Sequence, residues 1–278
     1  MAHPLDGAIA KRNRAREQIK SLDAAIRASV EDRPYRVVVA ERERYSSSSY
    51  ALRFEPGQIS DPPAEWSAII GEIAHDLRSA LDLLACELAL FRSATTDIRD
   101  VSFPIRLYGP AANPAPRKPR WRGDLVAPFR RPHRARIERL QPYHRRNGQR
   151  RNFLWLLQEL NNADKHRTIQ TLAVSAGRIT PRTLRMTRDP DDVFDSPALA
   201  GFEFRQGVPL RDGAKVGRIN ITLSAKAGAD LDARISAKVV FDTGCDAVRG
   251  LEVIRFFADA DAAVLNTLRL FAGDLKPE

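Results

Sequence analysis

Apolar positions along the chain follow two different periods, and the place where one gives way to the other organises everything else. Residues 4–30 put Ile9, Ile19, Leu22, Ala25 and Ile26 on one side of a 3.6-residue repeat, which predicts an amphipathic helix closed by Pro34. "YRVVVAERER" and "YALRFEP" then alternate with period two around the polar turn "YSSSS", a hairpin signature. "SDPPAEW" carries prolines and acids where a helix begins, and the segment 63–92 behind it is the longest apolar periodic stretch. From 93 to 130 periodicity fades into a proline-rich run, "GPAANPAPRKPRWRG", read as a long irregular connection. A short helix follows at 131–140, ended by "LQPY", and another at 149–166.

After residue 166 the period switches to two. "TIQTLAVSA", "TLRMTR", "FEFRQG", "GRINITLSA" and "ARISAKVVFD" are separated by Gly, Pro and Asp clusters and predict about five antiparallel strands. The segment 246–273 returns to helical spacing. The expected class is α+β: a helical bundle core with a hairpin near the N-terminus and an antiparallel sheet in the C-terminal half. One domain over 1–278 is expected, because the last helix comes back after the sheet. Its sub-regions are 1–92 (helix, hairpin, helix), 93–148 (irregular and basic), 149–166 (helix), 167–243 (sheet) and 246–273 (helix).

Projection at 100° per residue locates the polar groups. On the helix from Trp66 to Phe91, Ile70, Ile73, Leu77, Leu81, Leu84 and Leu88 form one stripe. Glu72, His75, Asp76, Ser79 and Asp82 lie opposite, among Ile69, Leu83, Cys86 and Leu90. A helix apolar nearly all round is a buried one. On "RNFLWLLQELNNADKHR", Asp164 falls in the middle of the side formed by Phe153, Leu154, Leu156, Leu157, Leu160 and Ala163, with Asn161 at its edge. A core-facing carboxylate costs several kcal/mol unless a cation or donors meet it. We therefore expect Asp164 to reach Arg78 and His75 on the longer helix. That cluster of Arg78, Asp164, Asn161 and His75 either fixes helix register as a buried network, or lines a pocket. In the pocket version His75, Asp76, Asp164 and His166 are the candidate catalytic groups, histidine supplying acid–base or ligating chemistry near neutral pH.

Metal chemistry has thinner support. Glu72 and His75 have the i, i+3 spacing used on the helices of di-iron bundles, but no second such pair follows. His75-Asp76 matches the dyad of HD phosphohydrolases as a dipeptide alone. No metal is assigned and no cofactor is identified. The chain has no GxxxxGK[ST], no GxGxxG after a strand, no HExxH and no GxSxG, so the usual support for nucleotide-dependent or serine-hydrolase chemistry is missing.

Composition changes the picture in one place. A hydrophobic share of 43% and a charged share of 29% across 278 residues belong to a globular chain with a sizeable core. The net charge of +10 is concentrated: 117–151 holds 13 Lys and Arg against Asp124 and Glu138, and the remainder sums to about zero. Within it Arg117, Arg120, Arg122, Arg130, Arg131, Arg134, Arg145 and Arg146 are interleaved with Trp121 and Tyr143. Guanidinium groups pair phosphates and aromatic rings stack on unpaired bases, so RNA or single-stranded DNA is the partner this segment suggests. Arginines that pair with acids or solvate a loop are the competing account. Two cysteines without paired spacing, no leader-like apolar segment and no membrane-length run make a cytoplasmic protein off the membrane the expectation. Oligomeric state is not legible.

"GEIAHDLRSALDLLACELA" at 71–89 and "LQPYHRRNGQRRNFLWLLQELNNADKHR" at 140–167 together resemble a group of uncharacterised bacterial proteins. In these, H-x-L-R-S-A-L-D-x-L is followed by L-Q-P-Y and L-x-x-L-N-N-x-D-K-H-R. The resemblance spans about 50 residues and implies kinship without an activity. More remotely, the helices are similar to HEPN-type bundles, many of them ribonucleases with an R-x4–6-H motif; Arg139 and His144 have that spacing, with Pro142 between them. Three functional classes follow. The first is binding of nucleic acid or another polyanion through 117–151 with a structural polar cluster. The second is a phosphoester-acting enzyme, and the third a non-catalytic oligomeric interaction module.

Overall fold

The computed structural model describes residues 3–30, 37–46, 49–54, 61–108, 126–144, 148–165, 171–187, 199–204, 214–221 and 228–275. The fold is mixed α+β with a helical core. Helix α1 (Asp6–Val30) precedes the hairpin β1 (Val37–Ser46) and β2 (Ser49–Phe54), and α2 spans Ala64–Arg92. After α3 (Arg131–Arg139) come two 3-10 turns, Pro142–His144 and Gln149–Arg151, and then α4 (Phe153–Lys165). Strands β3 (Thr171–Thr187), β4 (Leu199–Phe204), β5 (Lys215–Ile221) and β6 (Gly228–Thr243) lead to α5 (Val253–Ala272).

Helix α2 is the axis of the core, as its all-round apolar pattern requires. Trp66, Ile70, Ile73, Leu77, Leu81, Leu84 and Leu88 are all buried. Helix α1 runs antiparallel along it: Gly7 lies beside Leu83, Lys11 reaches Asp76, and Gln18 reaches Glu72. Leu5, Ala8, Ala15, Leu22 and Ile26 form its buried stripe, whereas Ile9 and Ala25 fall outside it. Helix α5 closes another side through Phe256, Phe257, Val264 and Phe271.

The sheet differs from the expectation of five strands apart from the hairpin. There is one sheet in the order β3-β6-β1-β2-β5-β4, so the hairpin lies inside it and the C-terminal half contributes four strands. "TIQTLAVSA" and "TLRMTR", read as two strands, belong to one: β3 runs on past Gly177 and Pro181, with irregular register against β6 between Ala176 and Ile179 and between Pro181 and Thr183. β3 is an edge strand, which is where a proline lacking an N–H is tolerated. The sheet meets the helices where β3 begins and β6 ends. Val174, Val239 and Phe241 are buried there, and the Phe241 ring meets Phe256 edge-on at 5.5 Å. Helix α5 starts at Val253, later than residue 246, because the chain first turns back on β6. Gly250 adopts φ 77° and donates its N–H to the Phe241 carbonyl at 2.7 Å.

One part of the irregular connection is not a surface loop. Phe103 and Ile105 are 1% and 4% exposed, so the segment 103–106 is threaded through the core. Buried backbone without a ladder needs side-chain partners. Arg78 Nη2 donates to the Phe103 carbonyl at 2.7 Å, and Asp82 Oδ1 accepts the Phe103 N–H at 2.9 Å. Gln141 Nε2 donates to the Pro104 carbonyl at 2.9 Å while its Oε1 accepts the Arg106 N–H at 2.8 Å. Gln158 Nε2 reaches the Ile105 carbonyl at 3.4 Å.

Candidate functional site

The expected cluster of Arg78, Asp164, Asn161 and His75 is not assembled. Arg78 is buried, but its carboxylate partner is Asp82, one turn along its own helix at 2.8 Å. Burial lowers the pKa of the guanidinium and Asp82 partly opposes this. His75 is exposed, with Ser79 Oγ 3.4 Å from its Nε2. Asn161 is buried, and its Oδ1 has no hydrogen-bond partner among the described residues. Asp164 is exposed in the last turn of α4 and lies over Gly71: a Cβ on that glycine would stand 2.5 Å from its Oδ1. Projection gave the right face of α4. It could not show that the face ends one turn early, or that a glycine on α2 lets the carboxylate lie against bare backbone.

Nor do the candidate catalytic residues converge. Asp76, placed by projection on the polar side of α2, is 3% exposed and held by α1: Lys11 Nζ lies 2.8 Å from Oδ1 and Arg14 Nε 3.3 Å from Oδ2. Asp76 is thus spent on joining two helices, while His75 and Asp164 face solvent at different neighbours. His166 lies outside the described residues. No group of three or more His, Cys, Asp or Glu among the described residues is arranged to hold a metal ion. Sequence reasoning missed the second interhelical pair, Arg12 Nη2 to Asp261 Oδ2 at 2.6 Å between α1 and α5, because the two residues are 249 positions apart.

The basic segment divides into two populations. Of the arginines singled out, Arg117, Arg120, Arg122, Arg145 and Arg146, together with Trp121, lie outside the described residues. Arg130, which is exposed, and Arg134, which is half-buried, have their guanidinium groups engaged within the chain. Arg130 stands over the Phe91 ring at 4.0 Å and donates to the Phe91 carbonyl. Arg134 donates to the carbonyls of Phe129 at 2.8 Å and Ala127 at 2.7 Å, where Arg92 also donates. Arg136 pairs with Asp274 beyond α5. His133, buried between Phe91 and Phe271, points Nε2 at the same carboxylate at 3.3 Å.

The other population faces outward. On α3, His133 and Ile137 take the inner side, leaving Arg131 and Arg139 exposed together, and Arg150 and Arg151 are exposed on the second 3-10 turn. None of these four guanidinium groups has a hydrogen-bond or ion-pair partner among the described residues. Projecting 131–139 by itself gives this split; counting charge over the whole segment hides it. Tyr143 is half-buried and donates its hydroxyl to Glu138 Oε1, and His144 Nε2 lies 3.3 Å from the same oxygen. Burial and then that hydrogen bond push the phenol's ionisation up, so it stays a neutral donor. Arg139 ends α3 and His144 sits in the following turn beyond Pro142, so the two do not share a helix.

The chain matches no protein-family model, no curated protein and no solved structure at a significant level. Among the described residues no helix is long and apolar enough to cross a membrane.

Proposed function

We propose that the chain binds a phosphate-bearing polymer, nucleic acid in the first place, through the outward arginines of 117–151. The observation that carries this reading is the division just described. Where the segment is described, the guanidinium groups of Arg130, Arg134 and Arg136 are engaged by carbonyls, a ring and an acid, while those of Arg131, Arg139, Arg150 and Arg151 are exposed and without partners among the described residues. Exposed guanidinium groups gain little from surface acids but gain counterion release from a polyphosphate.

The segment Phe103–Arg106 supports the structural half of the reading. Arg78 and Asp82 in the first motif and Gln141 in the second are committed to its backbone. We extend this to the bacterial group that the motifs resemble, and propose that the motifs there encode the same buried staple and not a reaction centre. The phosphoester-enzyme alternative draws no support from His75, Asp76 and Asp164, none of which is hydrogen-bonded to another. The cytoplasm fits two cysteines that are both free. The test is fluorescence anisotropy with labelled single-stranded RNA over a salt series. Binding at low salt that weakens steeply with added salt is expected; no binding at low salt ends the proposal.

A further inference from the structure

The elements that carry Arg139, Arg150 and Arg151 adjoin an aromatic feature that a base-free polyanion has no use for. Glu138 Oε1 receives the Tyr143 hydroxyl and lies 3.3 Å from His144 Nε2, so a single carboxylate holds both rings by their edges. The rings lie 4.6 Å apart, tilted by 47°. Tyr143 is the half-buried one and backs the imidazole, whose side chain is 49% exposed. His144 thus has a ring neighbour and a carboxylate at one edge, while 49% of its side chain stays exposed. A ring held this way gives up little rotamer freedom when something stacks on it.

Its surroundings are cationic. Arg139 ends α3 five residues before His144, and the turn bearing Arg150 and Arg151 lies against the turn bearing His144. Arg106 adds positive charge near Tyr143. A flat face beside guanidinium groups that can take successive phosphates is what unpaired bases require, since stacking needs a ring and a duplex keeps its own faces covered.

We propose that His144, backed by Tyr143 and held by Glu138, stacks on an unpaired base of a single-stranded nucleic acid whose phosphates lie on Arg139, Arg150 and Arg151. This rests on the polyanion reading above and names its substrate. The test uses the full chain and four probes at one ionic strength: a labelled uridine dodecamer, a thymidine dodecamer, a duplex of equal length and inorganic polyphosphate. Both single strands are expected to bind more tightly than the duplex or polyphosphate. His144→Ala is expected to weaken single-strand binding roughly ten-fold and leave polyphosphate binding unchanged, with His144→Phe restoring the single strands. A ratio of RNA to DNA affinity near one means the base face is what is read, and a large RNA preference adds the ribose hydroxyl; either supports the proposal. Equal losses on polyphosphate, or no loss on single strands, overturn the stacking role and leave polyanion binding standing. No binding of any probe by the unaltered chain overturns both.

Discussion

At the residue scale, Gly71 and Arg78 matter for opposite reasons. Gly71 has no side chain because Asp164 occupies the place: a Cβ would stand 2.5 Å from Oδ1 and 2.8 Å from Cγ. Alanine in a helix interior is favoured over glycine by about 1 kcal/mol, while forcing an extra methyl into a packed contact costs about 1–3 kcal/mol. Gly71→Ala is therefore expected to destabilise modestly, and the same change made with Asp164→Ala to be neutral or stabilising. Urea unfolding of the four members of that cycle measures it; a cost that persists without Asp164 would show that the carboxylate is not the obstacle. Arg78 is indispensable for what it donates. Removing it orphans the buried Phe103 carbonyl, a loss of about 1–3 kcal/mol, and lysine lacks the planar fork to replace it. Asp76→Asn is milder, within about 1 kcal/mol, because Lys11 and Arg14 have side chains 36% and 62% exposed and turn to water when the charge is gone. Arg78→Met and Arg78→Lys should thus each lower the urea midpoint by more than Asp76→Asn. The reverse order would mean that the buried segment does not depend on the guanidinium.

Elements were legible in proportion to how local their causes are. The repeat that buries α2 lies within α2, so its span of 64–92 matches the 63–92 read from the pattern. The segment Phe103–Arg106 is buried by Arg78, Asp82, Gln141 and Gln158, and a backbone satisfied from four distant positions has no period of its own. Pro181 misled for a related reason: it is a stop signal in a chain of unknown neighbours, and an edge position removes the penalty. The joint between α3 and α5 was equally hidden, and it carries a pH dependence. Burial holds His133 below the ordinary histidine range; Asp274 opposes this, and Arg136 and Arg130 reinforce it. Its Nδ1 is buried without a partner among the described residues, which also favours the neutral ring. A base with a depressed folded pKa binds protons more readily when unfolded. Its contribution is full above the unfolded value of about 6.5 and is lost as pH falls from there through the folded pKa. The melting temperature should fall between pH 7 and pH 5, and His133→Phe, filling the space between Phe91 and Phe271, should reduce that slope. An unchanged slope would mean that His133 takes up its proton as easily folded as unfolded.

At the scale of the whole molecule the question is whether a charge of +10 acts as one surface. The excess comes from 117–151, so any long-range attraction for polyanions is directional and not a property of the entire exterior. If Arg131, Arg139, Arg150 and Arg151 each neutralise a phosphate, they contribute roughly −0.7 apiece to the slope of log affinity against log salt on a single strand. The double reversal Arg131→Glu with Arg139→Glu should then reduce that slope by about 1.4 and leave the melting temperature within about a degree, since surface charges of this kind contribute little to folding. Arg134→Ala should do the opposite. It takes the Arg134 donor from the Phe129 carbonyl and leaves the Ala127 carbonyl to Arg92, which lowers the melting temperature with the salt slope nearly unchanged. The outcome thus depends on which side of α3 the guanidinium occupies and not on the charge removed alone. Were both variants to shift the slope in proportion to the charge they remove, the attraction would come from net charge spread over the exterior, and α3 would have no binding face.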